Sequence, residues 1–160
     1  MKTNAFQLNK LTNMGAHYVI DNDVITISKA KMLKPINITT LVYPGFPTDL
    51  GQPMSVVLTQ AEGVSYFEET IWENRFRYVE EMRKFGADIT RIDNTAKING
   101  KKELHGADVI APDLRAGAAL VILALAINGE STISNISNIE RGYENFVSKL
   151  KSLGADIRRV

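Results

Sequence analysis

Apolar residues three apart, followed at once by Gly-Ala, recur three times along the chain. Leu11 and Met14 precede Gly15-Ala16, Met82 and Phe85 precede Gly86-Ala87, and Leu150 and Leu153 precede Gly154-Ala155. This spacing predicts the last turn of an amphipathic helix, ended by a glycine that can take the left-handed conformation. A strand-like segment follows each time, at 17–20, 88–92 and 156–160.

The correspondence extends beyond the glycines. Moved forward by 66 positions, segment 46–86 falls on 112–152. Phe46-Pro47-Thr48-Asp49 lands on Pro112-Asp113-Leu114-Arg115, Gly63 on Gly129, and Glu73-Asn74-Arg75 on Ile139-Glu140-Arg141. The chain is therefore read as units of about 66–70 residues. Within one unit, 36–42 alternates and carries Thr and Val, so it predicts a strand. Pro44-Gly45-Phe46-Pro47 predicts a turn. Thr48 or Asp49 then caps a helix reaching about Ala61, with Pro53 near its start and Gly63 past its end. Residues 64–70 predict a second strand. Phe76, Val79, Met82 and Phe85 fall at three-residue spacing and predict a helix over 75–85. Residues 88–92 and 95–98 predict a hairpin around Asp93-Asn94. Residues 107–111 open the next unit, whose two helices are expected at 116–127 and about 142–153. The order is strand, helix, strand, helix, hairpin, an α/β class built on one domain. Residues 1–40 read as the tail of one repeat, 41–106 as a second and 107–160 as a third.

Ala116 to Ile127 is the longest apolar run, at twelve residues. It is too short for a membrane span, which takes ~20 residues. Apolar all round, it predicts a helix covered by protein on both faces. The start, Met1-Lys2-Thr3-Asn4-Ala5-Phe6, lacks the apolar stretch of a secretory leader. Hydrophobic residues are 44% and charged residues 23% of the 160, a globular balance with enough chain for a real core. Lys and Arg number 19 against 18 Asp and Glu, a net charge of +1. That gives no electrostatic case for broad nucleic-acid or anionic-membrane binding. The absence of cysteine excludes disulfides, thiolate metal sites and a cysteine nucleophile within this chain, and fits a cytoplasmic protein. His17 and His105 lie 88 residues apart with no ligand spacing near either, so no metal site is visible. No P-loop, nucleophile elbow or Gly-rich dinucleotide turn occurs, and no cofactor is expected.

Polar residues repeat with the units. Asp49 and Arg115 occupy equivalent positions at the start of a first helix, and Arg75 and Arg141 at the start of a second. An arginine beside free helix N–H groups makes an anion site for phosphate or carboxylate. The plainer reading pairs Arg75 with Glu73 and Arg141 with Glu140. Asp49 reads either as a helix cap or as a carboxylate that holds or deprotonates a hydroxyl. Asp113 is the better cap of its pair. Trp72 reads as packing, and Arg158-Arg159 as a solvated end.

Four phrases carry a further likeness: Tyr43-Pro44-Gly45-Phe46-Pro47-Thr48-Asp49, Glu69-Thr70-Ile71-Trp72-Glu73-Asn74-Arg75-Phe76, Ala111-Pro112-Asp113-Leu114-Arg115-Ala116-Gly117 and Ile139-Glu140-Arg141-Gly142-Tyr143-Glu144. In this order, over about 8–160, the chain resembles the UDP-N-acetylglucosamine 1-carboxyvinyltransferases, an enolpyruvyl transferase family. The sister 5-enolpyruvylshikimate-3-phosphate synthases share the repeats but not the Glu-Asn-Arg-Phe or Arg-Gly-Tyr-Glu phrases. The resemblance implies an inside-out α/β barrel, two lobes each of three units around a pseudo-threefold axis, helices inside and sheets outside. This chain would supply most of the C-terminal lobe. It implies transfer of enolpyruvyl from phosphoenolpyruvate to the 3-hydroxyl of UDP-N-acetylglucosamine, the first committed step of peptidoglycan synthesis.

Carried over residue by residue, the resemblance makes Asp49 the base near the reacting hydroxyl. It gives Ile71 a backbone contact to the UDP-sugar, and sets Arg75, Arg115 and Arg141 along the cleft facing phosphoenolpyruvate and the intermediate. The family's N-terminal lobe has no counterpart here, nor does its acid-bearing loop or the Lys-Asn pair that grips phosphoenolpyruvate. The opening of the C-terminal lobe is also missing, and Gly51-Gln52-Pro53 departs from the family's usual continuation. The chain is therefore expected to be inactive alone and to pair with a separate N-terminal lobe. The alternative is a non-catalytic truncated paralogue that binds UDP-sugar or pairs with another lobe.

Overall fold

The structure, a computed structural model, describes residues 5–160. Helix α1 (Ala5–Asn13) leads into a hairpin of β1 (His17–Asp21) and β2 (Val24–Ser28). A full unit follows: β3 (Asn37–Thr39), a 3-10 turn (Thr48–Leu50), α2 (Gly51–Thr59), β4 (Val64–Glu68), α3 (Tyr78–Lys84), β5 (Asp88–Ile92) and β6 (Thr95–Asn99). The order then recurs as β7 (Asp108–Ile110), α4 (Leu114–Leu125), β8 (Thr132–Ser134), α5 (Ser137–Glu140) and α6 (Phe146–Ser152).

Sheet topology repeats with the elements. In the complete unit the strand order is β3-β4-β6-β5, with β3 and β4 parallel and the other two pairs antiparallel. In the next, β7 and β8 repeat the parallel pair, Asp108 opposite Thr132 as Asn37 is opposite Tyr66. Period-two alternation turns Ser65 and Phe67 of β4, and Ala96 and Ile98 of β6, inward. Met54, Val56 and Leu58 of α2 and Val79 and Met82 of α3 meet them in one apolar cluster. Leu120 and Leu123 of α4 join the same cluster, so the first helices of successive units share one core. Phe46, Phe67 and Phe76 meet edge to face at 6.2 and 6.5 Å, beneath the polar residues described below. Ser55 Oγ donates to the Gly51 carbonyl, which leaves the buried Tyr78 hydroxyl to donate to Ser55 Oγ at 2.8 Å. Burial raises the Tyr78 phenol above its ordinary range, and the nearby Glu69 carboxylate adds to the shift.

The three helix-ending glycines have φ of 99°, 88° and 92° at Gly15, Gly86 and Gly154, as the repeated phrase predicts. Several boundaries differ from the sequence reading. Neither Thr48 nor Asp49 caps a helix: both lie inside the 3-10 turn, whose leading residue is Pro47, and α2 starts at Gly51. The second helices start late. Asn74 and Asn145 stand at φ of 59° and 53°, a left-handed conformation that cannot continue into an α-helix, so α3 begins at Tyr78 and α6 at Phe146. Residues 156–160 form no strand; their counterparts β1 and β5 each pair with a hairpin partner, and this segment has none among the described residues. Helix α4 is not covered on all sides. Ile122 and Leu125 are 44% and 41% exposed, whereas Leu120 and Leu123 are fully buried.

Candidate functional site

Asp49 is held by two arginines from distant parts of the chain. Arg75 Nη2 donates to Oδ1 at 2.7 Å across 26 residues, and Arg115 Nη2 donates to Oδ2 at 2.6 Å across 66. Asp49 lies in the 3-10 turn, Arg75 in the turn before α3 and Arg115 in the first turn of α4. Two guanidinium groups face one carboxylate, so the cluster carries excess positive charge. Its side chains remain partly open to solvent, at 48% for Asp49, 23% for Arg75 and 37% for Arg115. The arrangement can bind an anion with the guanidinium groups while presenting a carboxylate to a neighbouring hydroxyl.

Each member is placed by local chemistry. Phe46, 1% exposed, anchors the 3-10 turn in the core. Leu41 N donates to the Phe46 carbonyl at 2.9 Å and closes the loop that contains Tyr43-Pro44, a cis peptide. The Arg75 guanidinium lies over the Trp72 ring, 5.9 Å from its centroid. Trp72 itself is 61% exposed, so its ring is presented at the surface rather than packed in the core. Asp113 caps α4 by accepting from Ala116 N at 2.9 Å, which aims the Arg115 turn toward Asp49.

The remaining sequence candidates fare differently. Ile71 N donates to Glu69 Oε1 at 2.8 Å, so only the Ile71 carbonyl stays open to a ligand. Arg141 does not join the cluster. It is exposed in the turn after α5, where its backbone N–H donates to the Ser137 carbonyl at 3.2 Å and its side chain makes no hydrogen bond or ion pair among the described residues. Its neighbour Gly142 packs against the Leu114 side chain, which brings this turn beside the start of α4. The expected local pairs are not formed. Glu140 accepts from Arg159 at 2.9 Å, and Glu73 makes no ion pair among the described residues. Arg158 pairs with Glu130, so the basic pair near residue 160 is matched by surface carboxylates.

Sequence reasoning passed over Glu69. Its carboxylate, on a residue only 3% exposed, accepts from Thr40 Oγ1 at 2.8 Å, Thr48 Oγ1 at 2.6 Å, Ile71 N at 2.8 Å and Trp72 N at 3.1 Å. The signal lay in the alternation: residues 65, 67 and 69 share the inward face of β4 and its extension. Gln52, 1% exposed in the first turn of α2, has no partner for either amide atom among the described residues. A cleft of about 590 Å³ opens beside the 69–74 loop, with Phe76, Arg91 and Asn94 on its far wall. Asp49, Arg75 and Arg115 do not line it. Among the described residues, no group of three or more His, Asp or Glu could hold a metal, and no helix is long and apolar enough to cross a membrane.

The chain is similar to known proteins over almost its whole length. The sequence is 49% identical over 153 residues to a UDP-N-acetylglucosamine 1-carboxyvinyltransferase of Campylobacter lari, a match covering 96% of this chain and 37% of that relative. It is 51% identical over 150 residues to UDP-N-acetylglucosamine 1-carboxyvinyltransferase 2 of Clostridium acetobutylicum, covering 94% and 36%. The chain thus spans little more than a third of the length of these curated relatives. The crystal structure of the enolpyruvyl transferase NikO from Streptomyces tendae superposes with a TM-score of 0.90 at 33% identity, over 96% of this chain and 36% of that one. The fold is therefore of the enolpyruvyl transferase type. A family model described as EPSP synthase (3-phosphoshikimate 1-carboxyvinyltransferase) matches residues 2–150, and the chain belongs to that family.

Proposed function

We propose that this chain forms one wall of a cleft in which enolpyruvyl passes from phosphoenolpyruvate to the 3-hydroxyl of UDP-N-acetylglucosamine, a step of peptidoglycan precursor synthesis. The observation that carries the reading is the Asp49 carboxylate shared by Arg75 and Arg115. Such a cluster suits a reaction that needs a base beside a hydroxyl and positive charge beside phosphate and carboxylate. Asp49 takes the hydroxyl proton as the sugar oxygen adds to C2 of phosphoenolpyruvate and C3 gains a proton from the acid on the other lobe; loss of a C3 proton and of inorganic phosphate from C2 then leaves the enolpyruvyl ether. Arg75 and Arg115 turn from Asp49 to the phosphate and carboxylate of phosphoenolpyruvate, and stay with them in the tetrahedral intermediate. The Ile71 carbonyl, whose N–H is already engaged, accepts a hydrogen bond from the sugar. Arg141, whose turn already packs beside the start of α4, reaches the cleft by swinging its exposed side chain toward the bound ligand. The half-open geometry fits a site completed by a second lobe, whose closure excludes water. We further propose the division into repeat segments 1–40, 41–106 and 107–160.

Two measurements test this. The chain alone should release no phosphate above background from phosphoenolpyruvate plus UDP-N-acetylglucosamine, because the acid-bearing loop lies on the other lobe; turnover by the chain alone would overturn the half-cleft reading. Calorimetry should show UDP-N-acetylglucosamine binding that Asp49→Ala abolishes. Absence of heat at millimolar ligand would remove the retained half-site, and binding indifferent to Asp49 would move it elsewhere.

A further inference from the structure

We propose that Glu69 is a positioning residue: its buried carboxylate ties the Asp49 turn to the Ile71–Trp72 loop and so sets the distance between the groups that would grip one sugar. This rests on the sugar-binding reading above for its purpose, though not for its geometry. The two oxygens divide the work. Oε2 accepts from Thr48, the residue before Asp49, at 2.6 Å. Oε1 accepts from Thr40 at the end of β3, from Ile71 N and from Trp72 N. Thr40 extends the link, because its Oγ1 also accepts from Thr70 N at 2.8 Å and its carbonyl accepts from Thr70 Oγ1 at 2.5 Å. Four donors converge on one carboxylate in a site closed to water, where a charged acceptor makes its strongest hydrogen bonds.

The consequence is mechanical. The Ile71 N–H is spent on Glu69, so the loop presents its carbonyl outward. Trp72, held by the same oxygen, presents its ring to Arg75. Without Glu69 the 3-10 turn and the loop lose their shared anchor, and Arg75 loses the fixed ring beneath it. Glu69 lies at the edge of the cleft beside this loop but is only 3% exposed, with four donors engaging its carboxylate, so it acts on the groups it holds. Replacement by glutamine conserves the shape. Its carbonyl oxygen can take the place of Oε1 for three donors, and its amide can donate to a Thr48 hydroxyl that turns to accept.

The chain has a single tryptophan, Trp72, so its fluorescence reports this loop alone. The experiment compares the unaltered chain, Glu69→Gln and Glu69→Ala by acrylamide quenching of Trp72, with circular dichroism as the check on folding, and by calorimetry with UDP-N-acetylglucosamine. Glu69→Gln should keep quenching near that of the unaltered chain, whereas Glu69→Ala should raise it clearly with secondary structure unchanged. Sugar affinity should fall about tenfold or more in the alanine variant, the scale of one or two lost hydrogen bonds to a charged acceptor, and recover in glutamine. Quenching in Glu69→Ala equal to the unaltered chain overturns the proposal. So does equal disturbance by Gln and Ala, which would mark a requirement for charge rather than for geometry. If Glu69→Ala does not fold, the isosteric Thr40→Val removes one donor to Oε1 and the acceptor of Thr70 N; raised quenching supports the tie and unchanged quenching refutes it. If the unaltered chain binds no UDP-sugar, the functional reading fails while the quenching result still decides the role of Glu69.

Discussion

Asp49 occupies both guanidinium groups at once, so removing its charge has opposite effects on two ligands. The ion pairs are partly solvated, and such pairs contribute only ~0–1 kcal/mol each. Asp49→Asn should therefore leave the melting temperature within a few degrees of the unaltered chain. The same change frees Arg75 and Arg115 from an internal competitor. Phosphoenolpyruvate should then bind about tenfold more tightly to the variant, while UDP-N-acetylglucosamine binds at least tenfold more weakly. Paired calorimetric titrations check this, and weaker phosphoenolpyruvate binding would show that Asp49 orients the arginines rather than competing for the anion. Gln52 gives a prediction about stability. A buried amide without partners costs free energy, so the near-isosteric Gln52→Met should gain about 1–2 kcal/mol in urea unfolding. A loss would show that the amide has found a partner. The 66-residue shift marked Asp49, Arg75 and Arg115 only as positions at repeated helix starts, and the family resemblance set the arginines along one cleft; that both arginines meet on Asp49 is read from the fold. Glu69 was not legible, since Glu68-Glu69 at the end of a strand reads as solvated until the alternation with Ser65 and Phe67 is followed to its end. The repeat made Arg141 the equivalent of Arg75 and the resemblance set it along the cleft, but equivalence of position does not fix the aim of a side chain.

Helix α4 places Arg115, and its own placement depends on close approaches without a Cβ. A Cβ on Gly117 would come within 2.7 Å of Ile139 Cγ1 and 2.9 Å of Ala111 Cβ. Ile139 is 3% exposed and belongs to α5, and Ala111 is fully buried at the end of β7, so neither can move aside easily. In an open helix, Gly→Ala gains about 1 kcal/mol of propensity. Here overpacking, at about 1–3 kcal/mol, wins. Gly117→Ala should therefore destabilise the chain by about 1 kcal/mol in chemical unfolding, and a stabilised variant would mean that α5 yields freely. Because α5 leads directly into Arg141, the same variant shifts that turn as well. The paired strands, the 88–99 hairpin and the helix-ending glycines could be read from periodicity, because each depends on local spacing, whereas the strand expected at 156–160 has no pairing partner among the described residues and does not form. The helix starts could not. Asn74 and Asn145 choose the left-handed conformation for reasons of tertiary fit, and Thr48 turns to Glu69 instead of capping because a buried carboxylate 21 residues away takes its hydroxyl.

The repeat gives the molecule an internal control for what a covered surface looks like. Hairpin β1–β2 is the counterpart of β5–β6 when Gly15 is laid on Gly86, so Tyr18, Ile25 and Ile27 correspond to Ile89, Ala96 and Ile98. The latter three are at most 2% exposed, because helices of the complete unit pack over them. On the first hairpin the same face is bare: Ile20, Ile25 and Ile27 are 48%, 40% and 61% exposed, and their cross-strand register makes one contiguous apolar patch. The first hairpin is the more apolar of the two, with Ile20 where the second has Arg91, yet alternation reports which face wants cover and not whether cover is present. A contiguous apolar face on a two-stranded edge favours self-association. The chain should therefore sediment as more than a monomer at roughly 100 μM, a range in which exposed strand edges associate. The double variant Ile20→Lys, Ile27→Lys should shift it to monomer. Both positions are already solvated, so the melting temperature should hold while the association is lost. Association that persists in the variant would transfer the sticky surface to the exposed side of α4, where Ile122 and Leu125 stand open, and a monomeric unaltered chain would mean that the hairpin patch is too small to hold two copies together.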